Sequence, residues 1–414
     1  MTPAAGYGEK LRRSAHGLAD VPPSALLVVG GSVLAVAAVG YFRVPLLPGM
    51  GADLTMNATA LSLVTTLYAV GRLVGDIPAG RLADVLPLPR ILSAAAVGSA
   101  AGSTLMALAG GRVLAYLGVL VLGLASAAAN TSGMTFFSTV ARPSRRGTSM
   151  ALYSAALLGG QAFGPAASGL LSSLTGSWRT ALWVGTGVGA VVACTLFVSH
   201  RGRRRTTTTT TTATHDAPAA AAAAPRGGAR TGERTLLYAS SFATFFALGS
   251  IPQTLVPLIG ADTYHLSAGG IGLALGLGGV FRFVGSLAGG VVSDRISRSY
   301  VLAAGLAIMA AGIVLLAPRT STVLWVVGIV LFSVGSFGVS VGAALLADRM
   351  PPSVLGRRLG TYRFAGDLGL MVGPVAGGFL YAEAGQATAV LAVAALLGVC
   401  ALSCAAFIAR DATA

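Results

Sequence analysis

A repeat of half the chain's length constrains the fold of this sequence more than any other feature. The stretch 71–84 (GRLVGDIPAGRLAD) recurs as 281–294 (FRFVGSLAGGVVSD), at an offset of 210 positions (282 − 72). In both copies an arginine, Arg72 or Arg282, precedes an aspartate by twelve positions, which is about 18 Å along a helix. If the aspartate marks the membrane surface, the arginine lies near the bilayer middle, where charges usually face a water-filled interior. The repeat therefore predicts two related membrane-embedded halves.

The composition agrees with a membrane protein. Of the 414 residues, 54% are hydrophobic and only 10% are charged, whereas soluble proteins carry about 25% charged residues. The net charge of +15 comes almost entirely from arginines that cluster between apolar segments, so it indicates membrane orientation and not a nucleic-acid partner. The three cysteines have neither disulfide nor metal-binding spacing, and no metal or cofactor is expected.

Twelve apolar segments are long enough to cross a bilayer, six on each side of a linker. They cover 24–42, 56–82, 91–110, 113–138, 148–172, 178–199, 235–260, 267–291, 300–317, 322–346, 361–382 and 386–408. Arginines are concentrated after the even-numbered spans, which predicts cytoplasmic termini and a multi-pass protein of the plasma (inner) membrane. The predicted domains are an N-terminal tail (1–23), a first bundle (24–199), a disordered cytoplasmic linker (200–234), a second bundle (235–409) and a cytoplasmic tail (410–414).

A second repeat lies within the fifth and eleventh spans. Gly164 and Pro165 match Gly373 and Pro374 at an offset of 209 (373 − 164). A proline inside a helix removes one backbone hydrogen bond and bends the helix. The two Gly-Pro pairs therefore predict a hinge in each half.

These motifs resemble those of the major facilitator superfamily over nearly the whole chain apart from the tails and the linker. Residues that match the superfamily's G-x-L-A-D-R-x-G-R-R/K loop are Gly80, Leu82, Ala83 and Asp84 in the first half and Gly290, Asp294, Arg295 and Arg298 in the second. The first copy departs from the pattern at Val85 and Pro87. The Gly164-Pro165 stretch resembles the fifth-span signature of antiporters, usually drug or metabolite exporters.

The resemblance implies a fold and a mechanism. The fold would be an all-α membrane protein of the MFS type, with 12 transmembrane helices in two pseudo-symmetric six-helix bundles around a central cavity. The mechanism would be alternating access by rocking of the two bundles. One feature of many proton-driven relatives is missing, since the fourth span contains no arginine in its interior.

Two charged pairs lie inside predicted spans. Arg72 and Asp76 are four positions apart on the second span, as are Arg363 and Asp367 on the eleventh, so each pair shares a helix face. In the superfamily architecture these two spans meet at the seam between the halves. The pairs could be self-satisfied bridges that help packing, a gate between the halves, or a proton-binding site. The predicted gating and coupling residues are Arg72, Asp76, Asp84, Asp294, Arg295, Arg363 and Asp367.

Arg282 has no carboxylate on its own helix face. A buried arginine needs an anionic or carbonyl partner, which could be a substrate carboxylate or phosphate, an acid of another helix, or backbone carbonyls. Arg43, at the outer end of the first span, is expected to be a snorkelling boundary residue and not a gate. The predicted substrate-cavity residues are Arg282, Asn130, Tyr153, Gln161, Tyr238, Phe242 and Gln253.

The expected function is proton-coupled export of a small organic molecule, a drug or metabolite, by a secondary active transporter. The alternative is a proton-coupled symporter that takes up a small organic or inorganic anion, because Arg72 and Arg282 are buried cations. An enzyme is not expected, since no phosphate-cradling loop or nucleophile elbow occurs in a strand-to-helix setting. The expected partners are a small-molecule substrate, protons and the lipid bilayer, and the expected working unit is a monomer. The sequence does not select the substrate or the direction of transport.

Overall fold

The computed structural model describes residues 23–140, 146–203, 231–317 and 321–413, and nearly all of them are helical. In chain order the helices are α1 (Pro23–Phe42), α2 (Ala58–Val85), α3 (Leu88–Ala107), α4 (Arg112–Val140), α5 (Arg146–Thr175), α6 (Trp178–Arg203), α7 (Thr231–Ser250), α8 (Ala268–Arg295), α9 (Arg298–Val314), α10 (Thr322–Gly335 and Gly338–Arg349), α11 (352–384) and α12 (386–413). The described residues contain no strand. The predicted all-α fold with twelve spans is confirmed.

The half-chain repeat is visible in the backbone of α2 and α8. Both helices have 28 residues, and each begins after a side chain that caps its first turn: Asn57 for α2 and Ser267 for α8. Two residues before each cap, Thr55 (φ 50°) and His265 (φ 49°) adopt the left-handed conformation that non-glycine residues rarely take. The repeat therefore preserves an unusual turn as well as a sequence motif.

The second repeat has the same kind of backbone marker. Gly176 (φ 67°) precedes α6, and Gly385 (φ 80°, ψ 176°) separates α11 from α12. Glycine adopts such positive φ values without a steric penalty from a side chain. The break at Gly385 falls between the predicted eleventh and twelfth spans, as the sequence indicated.

Helices α1 and α7 are continued at the end of the molecule that holds Asp53 and Asp262, which we call the outer end after the predicted orientation. A 3₁₀ turn (Val44–Leu46) and a helix (Leu47–Asp53) follow α1, and a π-helical turn (Ile251–Leu255) and a helix (Val256–Asp262) follow α7. Proline is tolerated in the first turn of a helix, where its missing N–H has no partner to lose. The first span is therefore longer than predicted, because the chain remains helical beyond residue 42 as far as Asp53.

Each half has a hydrophobic core of its own, but at the outer end each core also contains one side chain of the other half. Buried side chains of α7 to α12 form one cluster, which also contains Val44 of the first half. Two clusters fill the first half, and one of them contains Leu258 of the second half. The halves are thus interlocked at this end of the molecule.

Seven stretches of the described chain are long and apolar enough to cross a membrane by themselves, the longest of them, Arg357–Ile408, containing parts of both α11 and α12. These helices agree with a multi-pass membrane protein. Most of the predicted linker and nearly all of the predicted N-terminal tail lie outside the described residues. In the described part, α6 continues to Arg203 and α12 to Thr413. The domain boundaries stay predictions.

Candidate functional site

A central cavity lies between the two halves. The space between its lining atoms is about 580 Å³, a volume that includes open solvent. Five helices and the turns that follow α1 and α7 line it, through Tyr41, Val44, Leu158, Gln161, Pro165, Leu248, Pro252, Gln253, Leu275, Gly278, Gly279, Arg282, Ile329, Phe332 and Ser333. Most of these side chains are apolar, and the only charged one in this described lining is Arg282. The cavity has the composition expected of a small-molecule site, with few polar groups on apolar walls.

Three of the predicted cavity residues, Gln161, Gln253 and Arg282, line this space. Close packing of α5 on α8 brings two of them together: a Cβ atom on Gly279 would lie 2.5 Å from Cβ of Ala162, the neighbour of Gln161. Only a residue without a side chain permits this approach. Gln161 and Arg282 therefore face the cavity from two helices in direct contact.

The other four predicted cavity residues lie elsewhere in the described structure. The hydroxyl of Tyr153 donates to Oδ1 of Asn130, and both side chains are buried among α1, α4 and α5. Tyr238 packs against the core of the second half, and the ring of Phe242 lies 5.8 Å from that of Phe246. Their roles as substrate contacts remain predictions.

Arg43 closes the cavity at the outer end. Its Nη1 donates to the carbonyl oxygen of Gly40, its Nη2 donates to Oε1 of Gln253 at 2.7 Å, and its guanidinium lies 3.8 Å from the ring centroid of Tyr68. Arg43 is 0% exposed. The expectation of a snorkelling residue is therefore wrong, because the side chain lies inside the protein, against Tyr68 of α2 and Gln253 of the turn that follows α7.

Further hydrogen bonds join the halves at the outer end. Thr65 Oγ1 donates to the backbone carbonyl of Gln253 at 2.9 Å, and the backbone N–H of Gly269 donates to Oγ of Ser173 at 2.7 Å. Thr66 Oγ1 donates to the carbonyl of Met371, which ties α2 to α11. The outer end is thus closed by contacts from both halves.

The four predicted charges of α2 and α11 form one cluster across the seam. Asp76 and Asp367 each interact electrostatically with both Arg72 and Arg363. Nε of Arg72 and Oδ1 of Asp76 are buried without a hydrogen-bond partner in the described structure. Each pair thus interacts with the other across the seam, and the packing, gating and proton-binding roles stay predictions.

The loop-motif residues of the inner end, opposite the outer end, are placed less fully. The side chains of Asp84 and Asp294 lie outside the described residues, and Arg295 is exposed at the end of α8. Arg298 pairs with Asp348 at 2.5 Å, and Arg349 pairs with Glu233. Neither Asp348 nor Glu233 was predicted from the sequence. The arginine that follows Asp348 at the end of the tenth span is the signal that could have indicated this acid.

The predicted hinge residues lie at close contacts between helices. A Cβ atom on Gly164 would lie 2.9 Å from Cα of Ala38 on α1, and one on Gly373 would lie 3.0 Å from Cα of Phe246 on α7. Both helices continue through Pro165 and Pro374. The two glycines therefore pack α5 on α1 and α11 on α7 in the same way, and a hinge role stays a prediction.

Two repeated six-helix halves, a cavity between them and charged side chains within the helices at their seam are typical of secondary transporters. The model of the Major Facilitator Superfamily matches residues 28–269 and 236–414, and the chain belongs to this family. The predicted family is thereby confirmed. The family consists of membrane transporters of small molecules.

Relatives of known sequence agree with this assignment. The chain is 26% identical to the tetracycline resistance protein, class C, of Escherichia coli over 369 residues, which cover 87% of this chain and 90% of that protein. It is 24% identical to the tetracycline resistance protein, class G, of Vibrio anguillarum, over 86% and 89%. It is 22% identical to the putative uncharacterized transporter YgaY of Escherichia coli K12, over 89% and 90%.

Solved structures agree with the fold. A bacterial homolog to the human lysosomal transporter Spinster, in an inward-facing and occupied conformation, matches with a TM-score of 0.73 and 14% identity over 94% of this chain and 96% of that one. The nucleoside transporter NupG matches with a TM-score of 0.70 and 13% identity over 92% and 98%. At these identities the likeness concerns the fold alone.

Proposed function

We propose that the protein exports a small organic molecule in exchange for protons by alternating access. The observation that carries the proposal is the cavity between the halves, bordered by the Arg43–Gln253 contact at one end and accompanied by a cluster of charged side chains at the α2–α11 seam. The similarity to tetracycline resistance proteins supports export of a drug or metabolite. We further propose a working monomer in the plasma membrane with cytoplasmic termini, because two bundles of one chain enclose the cavity.

The coupling role belongs to Asp76 and Asp367 in this proposal. Both carboxylates are partly buried and lie between two arginines. Proton uptake by one carboxylate would weaken its attraction to Arg72 and Arg363, and thereby loosen the seam. Arg72 and Arg363 then act as the gate with which the carboxylates exchange contacts.

Solute flux in proteoliposomes with an imposed pH gradient tests the function. Internal pH is recorded while lipophilic cations, neutral drugs and organic anions are presented in turn. Proton efflux or influx that depends on one compound supports coupled transport, and its direction relative to solute flux distinguishes exchange from uptake by symport. Uptake remains a second candidate because the cavity carries a cation.

Asp76→Asn and Asp367→Asn test the coupling residues. Each variant cannot release a proton at that position, so we expect at least about tenfold slower proton-coupled flux with unchanged insertion and folding. Asp53→Asn is the matched control, since Asp53 pairs with Arg179 at the outer surface, away from the cluster. Undiminished coupled flux in both cluster variants would remove these residues from the mechanism.

A further inference from the structure

Positive charge exceeds negative charge around the cavity. The described residues around the cavity and the seam include four arginines, Arg43, Arg72, Arg282 and Arg363, but only two carboxylates, Asp76 and Asp367. Both carboxylates lie near Arg72 and Arg363. Two arginines, Arg43 and Arg282, are thus left without a carboxylate partner in this part of the structure.

The two remaining arginines differ in how their donors are used. Arg43 donates to two neutral oxygen atoms, those of Gly40 and Gln253, and lies over an aromatic ring. Arg282 makes no hydrogen bond and no ion pair with the described residues, although its side chain reaches the cavity. Its electrostatic neighbours are Tyr41 and Arg72, and none of the described lining residues is acidic. A guanidinium in this setting presents a fork of N–H donors that matches a carboxylate or phosphate.

Gln161 supplies a second unfilled group beside Arg282. Its Oε1 atom is buried without a hydrogen-bond partner in the described structure. A buried amide oxygen without a donor is unfavourable, and a bound molecule that carries a hydroxyl or N–H would supply the missing hydrogen bond. Most of the remaining lining, including Leu248, Leu275 and Phe332, is apolar, and its other polar side chains are those of Tyr41, Gln253 and Ser333.

We propose that the central cavity binds a small organic anion, whose carboxylate or similar oxyanion pairs with Arg282, whose hydroxyl or N–H donates to Gln161, and whose apolar body contacts the remaining wall. The inference rests on the proposed function, in which this cavity holds the transported molecule, and it applies to either direction of transport. It also excludes lipophilic cations from this site, because Arg282 repels them and no acid in the described lining attracts them.

Charge-dependent labelling of the cavity tests the proposal without knowledge of the natural substrate. Cys194, Cys400 and Cys404 are replaced by alanine, and Ser333→Cys places one thiol in the cavity lining. The protein in lipid nanodiscs, open to both sides, is treated with methanethiosulfonates that carry either a sulfonate or a trimethylammonium group. The labelling rate of the sulfonate reagent is divided by that of the trimethylammonium reagent, and the result is divided by the same quotient for free 2-mercaptoethanol. This normalised ratio reports the local preference for anions.

We expect this ratio to exceed one, and Arg282→Gln to lower it by roughly tenfold, as removal of one nearby charge in a medium of intermediate polarity should. Arg282→Lys retains the charge and should keep the ratio. Arg112→Gln, at an exposed arginine of the outer surface, is the matched control and should leave it unchanged. A ratio at or below one, or one that Arg282→Gln does not change, overturns the proposal. Failure of both reagents to react also overturns it, because a site that small anions cannot reach cannot hold one.

The flux panel separates this inference from the proposed function. Proton-coupled transport of organic anions, weakened at least tenfold by Arg282→Gln and preserved better by Arg282→Lys, supports both. Transport of lipophilic cations alone overturns the anion site and leaves coupled transport standing. Absence of flux for every compound counts against the proposed function, and the labelling ratio then still decides the charge preference of the cavity.

Discussion

At the scale of single residues, Arg43 shows how a cation is accommodated in the interior of a membrane protein. It is fully buried, and its partners are a backbone carbonyl, the amide of Gln253 and the face of Tyr68. Neutral acceptors and an aromatic face stabilise a guanidinium without fixing it as strongly as a carboxylate would. Such a contact suits a closure that must form and break during each transport cycle.

Substitutions of Gln253 test this closure. Gln253→Leu removes the side-chain acceptor of a buried cation, which should cost about 1.5–3 kcal/mol and lower the melting temperature. Gln253→Glu gives Arg43 a carboxylate partner, so we expect a higher melting temperature and slower turnover. Melting curves and flux in proteoliposomes measure both effects.

The control for Gln253 is another buried glutamine. Gln386 bonds to Thr263 and to the carbonyl of Leu316, all within the second half. Gln386→Leu should lower stability without any effect specific to closure of the outer end. Faster turnover in Gln253→Glu than in the unaltered protein would contradict the role given to the Arg43 contact.

The sequence predicted some of these residues and not others for a physical reason. Gln161, Gln253 and Arg282 were recognisable because a polar side chain in an apolar span needs a partner or a cavity. Arg43 was not, because its burial depends on a turn of α7 about 210 residues away in the chain. Asn130 and Tyr153 look like free polar residues in the sequence, yet they satisfy each other.

At the scale of helices, equivalent close contacts occur in each of the two halves. In the first half α5 lies against α1 at Gly164, and in the second α11 lies against α7 at Gly373. The ring of Pro374 approaches Gly249 of α7, where a Cβ atom would lie 3.0 Å from its Cδ. The sequence indicated the Gly-Pro repeat and the span positions, but the partner helices follow only from the packing.

Enlarging the two glycines tests this packing. Gly164→Val and Gly373→Val would push side chains against the facing backbone, and overpacking of this kind costs about 1–3 kcal/mol. We expect lower melting temperatures for both variants and impaired flux. Gly187→Val is the matched control on α6, where a Cβ atom would meet nothing within 4 Å. Equal stability of all three variants would show that the close approach is not needed.

At the scale of the whole molecule, the outer end joins the two halves through hydrogen bonds and exchanged core residues. Alternating access requires these contacts to separate when the cavity opens to the outer side. The contact between Ser173 of α5 and Gly269 of α8 lies at the rim of this closure. It offers a place to hold the two halves together chemically.

A reversible disulfide tests whether this separation is part of transport. A Cβ atom at position 269 would lie 3.3 Å from Cβ of Ser173, close to the separation of about 3.5–4.5 Å in disulfides. In the background with the native cysteines replaced, Ser173→Cys combined with Gly269→Cys should form a bond on oxidation and abolish flux. Reductant should restore it, and Ser173→Cys alone should be insensitive to both. Full flux in the oxidised double variant would mean that the outer end does not open there.

The exchange of Val44 and Leu258 between the cores has a consequence for biogenesis. During synthesis the first six helices enter the bilayer before α7 is made. The core of the first half therefore lacks Leu258 at that stage. Val44 likewise stays unpacked until the core of the second half, to which it belongs, has formed. Each half produced as a separate polypeptide would lack one piece of its own interior. The two fragments should therefore reach their native structure only when both are present in the same membrane. The outer end should be the last region to fold.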